Sequence, residues 1–272
     1  MNLRHFVKLA TEFPATARLP VLFVGHGSPV NAIEDNEFTR AWESEGENLP
    51  KPAAVLCISA HWFVDGTFVH GAKRPQTIHD FYGFSPELYA VRYDCPGAPA
   101  VAREVQGIVT TAKVQWDTDW GLDHGCWVVI KRLFPEADVP VFQMSLDATK
   151  PPQFHYDLAR ELHALRRQGV LIIGSGNIVH NLWLITYDET APPYDWAIEF
   201  DEVTKKLITA GDHRALIDYK KMGHAAHLSI PTPDHYWPLL YTLALQEKDE
   251  QAYFFVEGLT YKSISMRSVV IR

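Results

Sequence analysis

The sequence predicts an α/β fold: one domain with a mainly parallel central sheet flanked by helices, and a site at the carboxyl ends of its strands. Two observations carry this. Short β-rich apolar runs, each bounded by Pro, Gly or polar residues, alternate with segments of helical period. The chain has 272 residues, enough to bury the core of one large domain, and shows no linker, repeat or low-complexity stretch, so residues 1–272 are read as a single domain.

In chain order, Leu19 to Val24 reads as the first strand and Ala53 to Ser59 as the second. Val139 to Ser145 and Val170 to Ile173 read as two more. All four are near-continuous apolar runs, as strands covered on both faces are. Between them lie helical patterns at Glu37 to Glu47, Pro99 to Thr111, Trp127 to Phe134 and Pro152 to Gln168. Beyond a Pro-containing connection, Tyr187 to Tyr194, helices are expected at Trp196 to Ala210, His213 to Lys220 and Asp234 to Gln246. Two strands, Ala252 to Val256 and Ser265 to Ile271, close the chain.

Composition excludes several classes. A formal net charge of -8 argues against nucleic acid and against anionic membrane surfaces. No stretch approaches the ~18 apolar residues of a membrane span, and the N-terminal segment carries no continuous apolar run of a signal peptide. Cys57, Cys95 and Cys126 are scattered and odd in number, with no CxxC pair. A reducing, cytoplasmic setting is expected.

The unusual residue is histidine, with 13 copies. In open α/β sheets ligands bind beyond the carboxyl ends of the strands. His26 follows the first strand in Gly25-His26-Gly27-Ser28-Pro29, and His61 follows the second in Ser59-Ala60-His61-Trp62. His180 follows a third in Gly174-Ser175-Gly176-Asn177-Ile178-Val179-His180-Asn181. His124 lies in a loop ahead of a helix, and His235 opens the late helix after Pro231-Thr232-Pro233-Asp234. Neutral imidazole is the commonest metal ligand, and three imidazoles with open positions suit a catalytic divalent ion. Any one such histidine also fits a hydrogen-bonded structural role; several at equivalent topological places point to a site. His5, His70, His155, His163 and His213 read as surface or packing residues. The Gly-Ser-Gly-Asn turn lacks the lysine of a phosphate loop, and no GxSxG elbow surrounds Ser28.

The ordered set of these motifs, with Thr77-Ile78-His79-Asp80-Phe81 and Gly121-Leu122-Asp123-His124-Gly125, resembles the class III (LigB-type) extradiol ring-cleaving dioxygenases, and within them the DOPA 4,5-dioxygenase branch. The resemblance spans residues 25 to 240. It implies an enzyme that opens a catechol, L-DOPA or a related one, with O2 to a semialdehyde. It implies His26 and His61 as metal ligands, with His235 where protocatechuate-cleaving relatives carry a glutamate. His180 would be the acid/base histidine or a further ligand. His124 would be catalytic or line the pocket, and His79 and Phe81 would contact substrate. Fe(II) is the ion expected for activity; an all-histidine set also favours Zn(II) in a purified sample. A non-enzymatic metal-binding scaffold and a zinc hydrolase stay open as alternatives, as does the oligomeric state.

Overall fold

The computed structural model describes residues 17–188 and 191–272. His5 and the N-terminal segment considered above lie outside the described residues, as do positions 189 and 190 of the Tyr187 to Tyr194 connection.

The described chain runs β1 (Val21–Gly25), α1 (Glu37–Asn48), β2 (Ala54–Ser59), β3 (Phe63–Val64), β4 (Phe68–His70), α2 (Pro86–Ala90), α3 (Pro99–Ile108) and β5 (Gln115–Asp117). It continues through α4 (His124–Leu133), β6 (Val141–Gln143), β7 (Leu146–Asp147), α5 (Pro152–Glu161) and β8 (Val170–Gly176). Then come α6 (Asp195–Ala210), α7 (His213–Ile217), α8 (His224–Ser229) and α9 (Trp237–Ala244). The last strands are β9 (Ala252–Val256), β10 (Leu259–Thr260), β11 (Ile264–Ser265) and β12 (Ser268–Ile271).

Six strands form the central sheet in the order β6-β2-β8-β1-β12-β9. β6, β2, β8 and β1 are mutually parallel; β12 runs antiparallel to β1, and β9 antiparallel to β12. The predicted α/β class with a mainly parallel sheet is therefore what the chain adopts.

Both faces of the sheet are covered, which is why its inner strands read as unbroken apolar runs. Side chains alternate in direction along a strand. Val21 and Phe23 of β1 join one core with α9 and α5, while Leu22 and Val24 join the other with Trp42 of α1 and Trp127 of α4. Every residue of α9 is buried, so this apolar helix is an interior element. No helix among the described residues is long and apolar enough to cross a membrane.

Several boundaries differ from the sequence expectation, each for a local reason. α4 begins at His124, three residues early, because the Asp123 carboxylate caps it by accepting the Cys126 amide at 3.1 Å. His124 is thus a helical residue, not a loop residue. The predicted helix Pro152 to Gln168 breaks at Leu162 into α5 and a 3-10 turn, His163–Gln168. α3 stops at Ile108, and the Glu161 carboxylate takes the amides and hydroxyls of Thr110 and Thr111 instead. The helix expected from Asp234 begins at Trp237, which leaves His235 in the turn before it. The closing strand is interrupted at Met266 and Arg267; the Arg267 guanidinium turns inward onto Asp201. The two-stranded ribbons β3–β7 and β4–β5, the strand β10, and the helices α2 and α8 have no counterpart in the expectation. Pieces of two to six residues are too short for periodicity to register.

Candidate metal centre

Strand register brings the site together. Parallel pairing of Gly25 with Gly176 and of Ser59 with Ser175 ends β1, β8 and β2 at one level. The next amides continue the ladder: His26 N–H donates to the Gly176 carbonyl at 3.0 Å, and Ala60 N–H to the Ser175 carbonyl at 2.9 Å. His26 and His61 therefore emerge side by side. His235 arrives from the opposite end of the sequence because its carbonyl accepts the Asn177 amide at 2.9 Å, against the end of β8. Gly176 makes that approach possible, since a Cβ there would lie 2.1 Å from the His235 carbonyl oxygen.

Three imidazoles point at one another. Nε2 of His26 and Nε2 of His61 lie 3.2 Å apart, and ligand atoms of His26, His61 and His235 all fall within 4.8 Å of one another. The other ring nitrogens decide the protonation states. Ser175 Oγ donates its one proton to the Gly125 carbonyl at 2.5 Å. It must therefore accept from His26 Nδ1–H, at 3.0 Å. His235 Nδ1–H donates to the Asp234 carboxylate, and His61 Nδ1 lies 3.4 Å from Asp80 Oδ2. His26 and His235 then each turn a bare Nε2 lone pair inward, and the Asp80 carboxylate beside Nδ1 of His61 favours the same tautomer there. His235 Nε2 is buried and has no hydrogen-bond partner. Three imidazole lone pairs converging on one point, two of them on buried rings, are mutually repulsive unless a cation sits among them, so the residues present fit a divalent ion.

Burial, reinforced by the neighbouring imidazoles, holds His26 and His61 well below the ordinary histidine pKa. Both are neutral at pH 7, the form that coordinates. Burial alone would raise the Asp80 carboxyl, but the contact and charge of His124 outweigh it and keep Asp80 below the usual range. Burial would likewise raise Asp234, and the hydrogen bond from His235 outweighs it.

Asp80 is the residue whose importance the sequence reading missed. Its Oδ2 sits 3.0 Å from His124 Nδ1 as well as near His61, and its Oδ1 accepts the His124 amide at 2.9 Å. It thereby joins His61 and His124 into a second group of converging donors. The signal was in plain view, one residue after His79. Asp80→Asn keeps the shape and removes the charge that orients two imidazoles. It is expected to weaken metal retention and turnover together by roughly 10–100-fold, as loss of an outer partner of a ligand does. A chelator-competition titration beside kcat/KM checks this. No change in either would leave Asp80 as only an anchor for the His124 amide.

His180 lies against this cluster without joining its converging donors. Its ring stacks on that of His235, with centroids 3.4 Å apart and planes 6° from parallel. Burial, with the His235 imidazole stacked on it, holds His180 well below the ordinary histidine value, with Asp234 opposing. His124 stands on the other side, 3.8 Å from the His61 ring centroid.

All five histidines line a cavity of about 540 Å³, walled by Phe81, Phe84, Leu182, Ile185 and Ile264. The segment from Thr77 to Phe84 thus contributes Asp80, Phe81 and Phe84 to the wall. His79 does not line it. Its Nε2 bonds the Val91 carbonyl at 3.0 Å, and its ring packs between Phe81, Tyr89 and Trp127. Where the sequence reading expected His79 in the cavity wall, its neighbours Asp80 and Phe81 stand instead.

Among the described residues, the remaining histidines do not line this cavity. His155 is buried between Tyr241 Oη and the Asp147 carbonyl, His163 pairs with Glu247, and His213 bonds Tyr156 and Gln246. His70 is buried on β4. The three cysteines are free and buried.

Comparison with known proteins agrees with this geometry. The family described as the catalytic LigB subunit of aromatic ring-opening dioxygenase matches residues 20–271. The chain is 42% identical to the 4,5-DOPA dioxygenase extradiol of Escherichia coli (strain K12) over 262 residues, covering 94% of this chain and 96% of the relative. It is 37% identical to the enzyme of the same name from Beta vulgaris, covering 80% and 83%. A crystal structure of an uncharacterized protein from Escherichia coli K12 superposes with a TM-score of 0.83 at 39% identity, over 94% of this chain and all of that one. The chain belongs to the LigB family of aromatic ring-opening dioxygenases, and it is a dioxygenase enzyme of that family.

Proposed function

We propose that the protein opens the ring of L-DOPA or a closely related catechol by 4,5-extradiol cleavage, with Fe(II) held by His26, His61 and His235. The observation that carries this is the set of three converging imidazoles of His26, His61 and His235, the last with a buried, partnerless Nε2, in an aromatic-walled cavity. The names of the relatives support the substrate class. The buried free cysteines fit a cytoplasmic setting.

A divalent ion there would supply Lewis acidity to two vicinal oxygens and, if it is iron, a redox path between ring and O2. The chain's own groups do the rest. Phe81 and Phe84 flank an aromatic ring and keep water out. His180, neutral at rest and beside His235, accepts a proton from one catechol hydroxyl and returns it as the ring opens. His124, held by Asp80, is the second polar group against the reacting edge. The ring carbons supply the electrons that reduce O2, and both oxygen atoms enter the semialdehyde, so no external reductant is required.

The test is metal exchange. The stripped protein is loaded anaerobically with Fe(II) or Zn(II), mixed with L-DOPA, and opened to air. Stoichiometric oxygen uptake with a coloured product is expected from the iron sample alone, because zinc has no accessible redox change. Absence of oxygen uptake with L-DOPA and simple catechols at full iron occupancy would overturn the reading.

A further inference from the structure

The cavity's charges are unevenly placed. Among the described residues, its lining includes no lysine or arginine. Its two carboxylates are Asp80, deep and bound to the histidines, and Glu34 at the rim. Glu34 lines both this cavity and a groove that adjoins it. Its backbone is pinned, with N–H donating to the Val30 carbonyl at 2.9 Å and its carbonyl accepting Arg132 Nη2 at 2.7 Å. Its carboxylate makes no hydrogen bond or ion pair with any described residue.

The nearby cations are engaged elsewhere. Arg132 pairs with Glu43, Arg40 pairs with Asp35, and Lys262 Nζ sits 4.4 Å from the centre of the Tyr194 ring. Tyr187 and Tyr261 line the same cavity and meet edge to face with centroids 5.6 Å apart. An unengaged carboxylate on a pinned backbone, lining the same cavity as two aromatic rings, is the chemistry that receives an ammonium group, by a charge-assisted hydrogen bond and by cation–π attraction.

We propose that Glu34 is a specificity-determining residue that receives a cationic amino group on the side chain of the catechol. A side-chain carboxylate finds no counter-ion in the cavity, so the amine is the handle by which the substrate is chosen. This rests on the catechol reading above and deepens it. The contact is at the rim, so water screens it. The amine should add about tenfold to kcat/KM, the lower end for a hydrogen bond between charged groups.

Substrate pairs that differ only by the amine test this. Dopamine is compared with 4-ethylcatechol, and L-DOPA with 3-(3,4-dihydroxyphenyl)propionate, on the iron-loaded full chain. The amine-to-no-amine ratio of kcat/KM is expected to exceed one clearly in the wild type. It should fall to near unity in Glu34→Gln and recover in part in Glu34→Asp. A disturbed fold would lower both members of a pair and leave the ratio in place. A wild-type ratio of one, or a ratio unchanged in Glu34→Gln, overturns the proposal. If no catechol is opened at all, the dioxygenase reading has failed. The same ratios are then read from anaerobic calorimetric binding of the four compounds, which supports or overturns the role of Glu34 independently.

Discussion

His26→Ala is expected to release the metal and to lower turnover by roughly 10³-fold or more, because a three-ligand site reduced to two no longer holds or polarises a catalytic ion. His26 is the sharpest place to test the ligand set. It leaves β1 directly, its amide is locked to Gly176, and its Nδ1 is committed to Ser175. Its Nε2 can therefore face only the cluster, 3.2 Å from that of His61. The substitution loses the bond to Ser175 but removes one of three facing lone pairs and leaves the backbone bond to Gly176 in place, so the metal-free fold is expected to persist. Circular dichroism and the thermal midpoint of the apo-protein should match the wild type, while metal analysis after gel filtration finds little bound ion. Full retention of one ion per chain would exclude His26 as a ligand. His235→Ala should behave alike, because the same cluster needs its buried, partnerless Nε2.

His180→Ala is expected to do the opposite with the metal. Its ring lies flat on His235 and outside the group of converging donors, so the ion should stay. Turnover should fall by roughly 10²–10⁴-fold, the range for loss of a positioned acid/base, with little change in KM. The side chain is held by its backbone: the amide donates to the Ser229 carbonyl at 2.9 Å, and the residue bridges Ile264 of β11. Those contacts survive truncation, so the space left beside His235 should admit added imidazole. Partial rescue of kcat by imidazole would separate proton transfer from a structural effect. Loss of the ion with an intact fold would make His180 a ligand, and unchanged activity would remove it from the reaction.

The class of the fold was legible because the inner strands are covered on both faces. β1, β2 and β8 advertise themselves as apolar runs, and the helices between them carry amphipathic period. The ribbons β3–β7 and β4–β5 were not legible, since each exists only where two distant short segments meet. The site divides in the same way. His26, His61 and His180 were visible as histidines just past strand ends, and His235 and His124 through the motifs around them. The exclusion of His79 was not visible. It depends on which way a loop turns its side chains, and the Val91 carbonyl that captures His79 comes from a segment twelve residues away.

The sequence by itself determined the chemistry available: imidazoles in number, at the places where an α/β sheet presents ligands, with glycines beside them. The tertiary structure alone decided which nitrogen of each ring is bare. That choice is made by the Ser175 hydroxyl, the Asp80 carboxylate and the Asp234 carboxylate. Two of these three lie far along the chain from the ring they orient. Hydrogen-bond direction depends on where atoms stand in space, and residue order alone does not carry it.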